Sequence, residues 1–429
     1  MGLFICSNTP CQARVYIDIT APYLRQIPTA VPVFKDLGPA RKHAELATML
    51  ADLLAEPINF TGFFQILDRV SFLEDPQQAG FMQHTINFKN WTDIGAELLI
   101  KGGFEYQGDI LEVELRLFDT FNGRLIIGKR YTGHLKDHRQ MIRRFCNDVI
   151  HRLTGHEGIF NTQIAFVSTT TGHKEIYIAD FDGYNPRQST NTGAITLSPA
   201  WSSDGRWLAY TDYRHGKPDL YIRHIKERRG TVVSFNGSNI APAWVPGQFA
   251  LAASLSHEGN PALYLLTGNG KIIKKLTHHW GIDVSPTWSP EGKAVAFVSN
   301  RSGSPQIYIK NIEDGKVRRL TYEGNYNTSP QWSPRGNYIA YTGLGRGGHT
   351  DIYLIRTDGK VGAIQLTQNA GNNESPTWSP DGSLIAFSST REGPSRIYVM
   401  NANGSNQRRL LVFEGEQTSP SWSPRLSGY

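Results

Sequence analysis

The chain is short of the features that would commit it to several common classes. Only three cysteines, Cys6, Cys11 and Cys146, occur in 429 residues. They give no zinc-type pairing with histidines. So few suit a cytosolic protein, or a bacterial periplasmic one that does not rely on disulfides. No run of about 18 apolar residues occurs, so nothing reads as a membrane-spanning helix. The net charge of +6 is not concentrated. Its densest runs are Lys226-Glu227-Arg228-Arg229 and Arg143-Arg144. Without a basic tail or helix stripe, no nucleic-acid partner is expected.

Catalytic motifs are missing too. There is no G-x-S-x-G elbow and no phosphate-binding G-x-x-x-x-G-K-[ST]. His156-Glu157 and His257-Glu258 do not extend to H-E-x-x-H. Gly343-Leu-Gly345-Arg-Gly347-Gly348 fits G-x-G-x-x-G. It falls between two strand-like runs with no helix after it, so it reads as a hairpin loop and not a dinucleotide site.

What is present is glycine, proline and aromatics: 42 Gly, 23 Pro, 9 Trp and 18 Tyr. They are ordered by a repeat. SPAWSSDG at Trp201 is followed by APAWVPG at Trp244, SPTWSPEG at Trp288, SPQWSPRG at Trp332, SPTWSPDG at Trp378 and SPSWSPRL at Trp422. The Trp separations are 43, 44, 44, 46 and 44 residues. Each unit continues with an alternating run such as LAYTD, a tyrosine-centred run such as LYIRH, a D-G or N-G turn and a last short run. Four antiparallel strands at this period are a propeller blade. The first unit, from Ile164, lacks an S-P-x-W segment, and the last stops just after one. The C-terminal piece therefore completes the first blade, closing a six-bladed ring without an open edge. The repeated Trp is expected between blades as core.

Residues before about 158 differ. Arg14–Thr20 alternates as a strand. A helix opening at Gly38-Pro39 would carry Leu46, Met49, Leu50, Leu53 and Leu54 on one face. Strand-like runs follow at Ala96–Tyr106, Ile110–Phe118 and Arg124–Tyr131, then a second helix at Leu135–Leu153. The expected organisation is a leader remnant or disordered N-terminus (1–13), an α/β domain with a mixed sheet (14–157) and an all-β six-bladed propeller (158–429). The segment ending Cys11-Gln12-Ala13 reads as the tail of a signal peptide.

Chemistry-bearing candidates are few. Asp180-Phe-Asp182-Gly183 has too few acidic positions for a calcium loop and reads as a turn. His278-His279-Trp280 lies between two blades and lacks a visible third metal ligand. The loops before each S-P-x-W vary from blade to blade, and all six converge on one face, which marks a binding surface.

The opening RVYIDI strand, the T-G-x-x-G-x-F-x-T-x-I-A-F segment at Thr154–Phe166, the Asp180-Phe-Asp-Gly-Tyr-Asn turn and the truncated SPSWSPRL together resemble the TolB family, periplasmic components of the Tol–Pal system of Gram-negative bacteria. The resemblance implies a monomeric, non-enzymatic scaffold without cofactor or metal, serving outer-membrane integrity and cell division. It implies that the loop-bearing propeller face binds the lipoprotein Pal, a surface some colicins exploit. On this sequence that face takes in Ser238, Asn239, Ala241, His278, His279, Trp280, Asp283, Val284, Ser285, Asn325, Tyr326, Asn327, Asn372, Asn373, Glu374 and Glu416. It further implies that an N-terminal segment, with Arg14, Val15, Tyr16, Ile17 and Asp18, binds TolA. Ser238, Val284 and Ser285 depart from bulkier or polar family choices, suggesting a partner-matched surface. The alternative is a propeller enzyme, a polysaccharide lyase or lactonase, holding a metal in its channel.

Overall fold

A computed structural model describes residues 25–39, 42–227, 229–345 and 347–426. The segment holding Arg14, Val15, Tyr16, Ile17 and Asp18, like residues 1–13, lies outside the described residues. The chain divides into two compact units between Gly158 and Ile159.

The first unit is α/β. Its strands are β1 (Ile27–Ala30), β2 (Lys35–Asp36), β3 (Phe64–Ile66), β4 (Leu98–Gln107), β5 (Ile110–Asp119) and β6 (Arg124–His134). They form one mixed sheet in the order β3-β1-β4-β5-β6, with β2 also on β4. Pairings among β1, β2, β3 and β4 are parallel; β4 with β5 and β5 with β6 are antiparallel. Gly102 on β4 is required, because a Cβ there would lie 2.4 Å from the Phe34 ring. The helices are α1 (Ala44–Phe60), the short α2 (Phe88–Thr92) and α3 (His138–Thr154). α3 buries Ile142, Phe145, Val149 and Leu153 and ends on Gly155 at φ +74°, a left-handed stop that glycine makes cheap. One expectation needs correction. The first helix begins at Ala44, and its buried stripe is Ala47, Leu50, Ala51, Leu54 and Ile58. Met49 is exposed. Small Ala side chains let the helix seat closely, which turns Met49 outward.

The second unit is a ring of six four-stranded sheets. Blade 1 takes its inner strand from the C-terminus: Gln417–Trp422 pairs with Gln163–Ser168. Blades 2 to 6 cover 196–233, 239–275, 283–319, 327–365 and 373–409. Trp201, Trp244, Trp288, Trp378 and Trp422 are buried, and Trp332 is half-buried. Trp244 packs with Ala209 and Leu220 of blade 2, and Trp288 with Val245 and Leu263 of blade 3.

The seams follow a rule set by the residue before each Trp. Where that residue is Ala200, Ala243, Gln331 or Ser421, its carbonyl accepts the indole N–H of the next blade's Trp, at 3.0–3.1 Å. Where it is Thr287 or Thr377, its hydroxyl accepts the next Trp's backbone N–H instead, at 3.1 Å. The indole then turns elsewhere: Trp332 donates to the Gly336 carbonyl and Trp422 to Thr162 Oγ1.

Candidate partner-binding face

Each inner strand starts at the loop face and runs down the channel. The S-P pair sits at a bulge, where the register with the second strand shifts in all six blades. Ser198, Ala241, Ser285, Ser329, Ser375 and Ser419 are all left-handed, with φ between +49° and +53°. A non-glycine residue there costs on the order of 1–2 kcal/mol. In two blades the strained N–H is held by the preceding blade, Ala241 on Thr211 Oγ1 and Ser375 on Thr342 Oγ1.

The channel encloses about 390 Å³ and is walled by the six Ser/Ala-Pro-x-Trp stretches and the residues just after them. Among the described residues its wall contains no carboxylate, imidazole or thiol. The described wall therefore offers no ligand set for a metal in the channel. Among the described residues no cluster of three or more His, Cys, Asp or Glu could hold a metal.

Above the channel, the inner strands separate two kinds of side chain by a single step. Thr196, Asn239, Asp283, Asn327, Asn373 and Gln417 are buried. Asn239 Nδ2 donates to the Phe235 carbonyl at 2.9 Å and to Asp219 Oδ1 of blade 2 at 3.3 Å. Asp283 accepts twice from Arg301 Nη2, both at 2.9 Å, and the guanidinium lies over the Phe297 and Tyr308 rings. Asn327 Nδ2 donates to Gln306 Oε1 of blade 4 at 2.9 Å, and Asn373 Nδ2 to Asp351 Oδ1 of blade 5 at 3.1 Å. Asn373 Oδ1 accepts from Arg391, whose guanidinium is pushed below its ordinary pKa by burial.

The expected surface is corrected accordingly. Asn239, Asp283, Asn327 and Asn373 are ties beneath the face, with no side-chain surface to offer a partner. Ala241 and Ser285 belong to the channel wall, and Val284 is half-buried. On the face itself stand His278, Trp280, Asn325, Tyr326, Asn372, Glu374 and Glu416, all exposed, with Ser238 half-buried. His279 is half-buried; its Nδ1 accepts the Gly281 N–H at 2.9 Å, which holds the turn presenting Trp280.

Two residues missing from that surface now join it. Ile195 and Ile282 are exposed. They occupy the step just before the buried ties, where other blades carry Ser238, Tyr326, Asn372 and Glu416. Aligning the six strand starts would have found them; an isoleucine taken alone reads as core. The apolar side chains gather on neighbouring loops: Trp280 (72% exposed), Ile282, Tyr322, Tyr326 and Leu344. The Leu344 N–H bonds the Tyr326 carbonyl, and the Asn300 N–H bonds that of Ile282. On either side, the flanking loops offer Ser238 before blade 3 and Asn372, Glu374 and Glu416 before blades 6 and 1. An aromatic arc bordered by a polar arc suits docking of a folded partner, with affinity concentrated on the aromatics.

Comparison with known proteins fits this architecture. A family model described as "TolB amino-terminal domain" matches residues 15–126, and one described as "TolB beta propeller domain" matches residues 150–426. The chain is similar to the Tol-Pal system protein TolB of Desulfosudis oleivorans, with 58% identity over 100% of this chain and 98% of that one. It is 41% identical to the TolB homolog of Chlorobium luteolum, over 99% and 97% of the two chains. The crystal structure of TolB from Acinetobacter baumannii superposes with a TM-score of 0.79, over 96% of this chain and 100% of that one. At 24% identity, that match speaks for the fold alone. With both of its units matched in order and a relative aligned from end to end, the chain belongs to the TolB family.

Proposed function

We propose that the chain is a non-enzymatic, monomeric scaffold of the Tol–Pal system, working in the periplasm of a Gram-negative bacterium. Its propeller face docks the lipoprotein Pal, and its N-terminal segment, residues 14–18 foremost, engages TolA. Residues 14–157 and 158–429 act as its two functional domains. In this reading it supports outer-membrane integrity and cell division, and colicins that mimic Pal would compete for the same face.

The observation that carries the reading is the face itself. A rigid ring, tied beneath its surface by buried polar side chains, presents an exposed arc of Trp280, Ile282 and Tyr326. The end-to-end likeness to a Tol-Pal system protein names the class of partner. Strand addition or packing of the N-terminal segment is the mode expected for the second partner. Coupling between the partners requires each to favour a different state of that segment.

The test is capture of the Pal domain of the same organism by the full chain. Saturable one-to-one binding that weakens in Trp280→Ala and Tyr326→Ala is expected. Unchanged binding in both variants would remove the face assignment. An unchanged TolA affinity with Pal bound would remove the coupling.

A further inference from the structure

One seam of the propeller departs from the others. The third strand of each blade carries, two residues after its tyrosine, a position turned toward the preceding blade. Leu266, Ile355 and Met400 fill that place in blades 3, 5 and 6, each buried against side chains of the blade before. Blade 1 has the buried Ala179 there. In blades 2 and 4 the position is Arg223 and Lys310. Lys310 folds back onto the Gly315 carbonyl of its own blade. Arg223 instead reaches across the seam and donates to the Ser189 carbonyl at 2.7 Å. A cavity of about 290 Å³ opens between blades 1 and 2, lined by Thr190, Thr192, Tyr210, Tyr221, Arg223 and Arg229 among others.

The charges around this cavity are unevenly satisfied. Arg214, at its edge, is held on Asp212 at 2.6 Å and lies over the Tyr221 ring. Arg229 pairs with Glu227 at 2.6 Å and leans on Trp207. The blade 1 carboxylate behind the threonines, Glu175, is taken up by Thr190 Oγ1, the Thr192 N–H and the Gly193 N–H. Arg223 has a neutral carbonyl and, among the described residues, no carboxylate. The Tyr210 and Tyr221 hydroxyls have no hydrogen-bond partner among the described residues either, although Tyr210 is 3% exposed. A guanidinium with donors to spare beside two unengaged phenols is a recognition set for an oxyanion on a polar body.

We propose that the seam between blades 1 and 2 binds a small ligand of sugar size bearing a carboxylate or phosphate ester, with Arg223 as its anion contact. The two phenols address the ligand's hydroxyls. Arg214 and Arg229, each paired with its own carboxylate, border the mouth without taking part as free cations.

The experiment is titration of the full chain, by calorimetry, with glucuronate, glucose 6-phosphate and glucose. One anionic sugar is expected to bind saturably, naming the group as carboxylate or phosphate, and glucose not at all. Arg223→Leu, which restores the side chain found in blade 3, should weaken binding at least tenfold. Lys310→Leu should leave it unchanged. If Arg223→Leu does not fold, Tyr210→Phe takes its place, with a loss of severalfold expected. The proposal is overturned if neither anionic sugar saturates by about 10 mM. Equal binding of glucose overturns it too, as does wild-type affinity in the substituted seam.

Discussion

The two residues that open each inner strand, one step apart, do opposite jobs. At the first, Ile195, Ser238, Ile282, Tyr326, Asn372 and Glu416 face outward or lie partly open. At the second, Thr196, Asn239, Asp283, Asn327, Asn373 and Gln417 are closed off and hydrogen-bonded. A strand turns successive side chains to opposite sides, so one residue of register separates recognition from cohesion. The outer position varies from apolar to acidic, whereas the inner one always carries a side chain that hydrogen-bonds. A face built this way changes partner chemistry without loosening the ring.

The sharpest way to break the comparison is at Asp283. Arg301 is only 16% exposed and spends two hydrogen bonds on this carboxylate. Asp283→Ala leaves the guanidinium buried without its counter-charge, a loss on the order of 3–5 kcal/mol. Scanning calorimetry should show the propeller melting several degrees lower. An unchanged melting temperature would mean that the inner position is not a tie. Next is Trp280→Ala, on the outer layer. Removing an exposed indole leaves melting within about a degree, while Pal capture weakens by about 2 kcal/mol, roughly thirtyfold. Were melting to fall as in Asp283→Ala, the two layers would not be separable.

The ring was legible because its signals are periodic. Six Trp at near-constant spacing, turn glycines and a missing first strand fix the number of blades and their closure. The face was legible only as a set of loops. Asn239 and Asp283 look like contact residues in a polar loop, and nothing in one sequence says that Arg301 folds back 18 residues to cover Asp283. Ile282 was missed for the converse reason, since isoleucine beside a strand start reads as core. Side-chain direction at a strand end depends on where the bulge falls. The bulge depends on a left-handed serine before proline, a conformation that local preference disfavours.

A smaller effect is expected at the seams. Thr287→Ala removes the hydroxyl that accepts the Trp332 backbone N–H. Leaving a buried donor unmet would cost on the order of 1–3 kcal/mol. Four other seams show the alternative arrangement, an indole N–H on the preceding carbonyl. If Trp332 adopts it, the indole only exchanges one carbonyl for another, so the loss stays at about 1 kcal/mol, that of the backbone N–H. A crystal structure of the variant checks this directly: the indole should leave the Gly336 carbonyl for that of residue 287. A Trp332 that stays in place, with wild-type melting, would mean that threonine does not set the seam type.

The smallest effect distinguishes the two arcs of the outer layer itself. Ser238 stands on the polar arc, and its backbone N–H, not its hydroxyl, makes the local bond, to Ser256 Oγ at 2.7 Å. Ser238→Ala therefore keeps the loop and removes only a hydroxyl that makes no hydrogen bond among the described residues. Its effect on melting and on Pal capture should stay within about 0.5 kcal/mol, little more than a twofold change in affinity. Trp280 and Ser238 thus bracket the face, one expected to carry binding and the other to border it. A loss at Ser238 as large as that at Trp280 would move the centre of the footprint to the polar arc. The aromatic arc would then need another occupant to explain why a tryptophan is left open to solvent there.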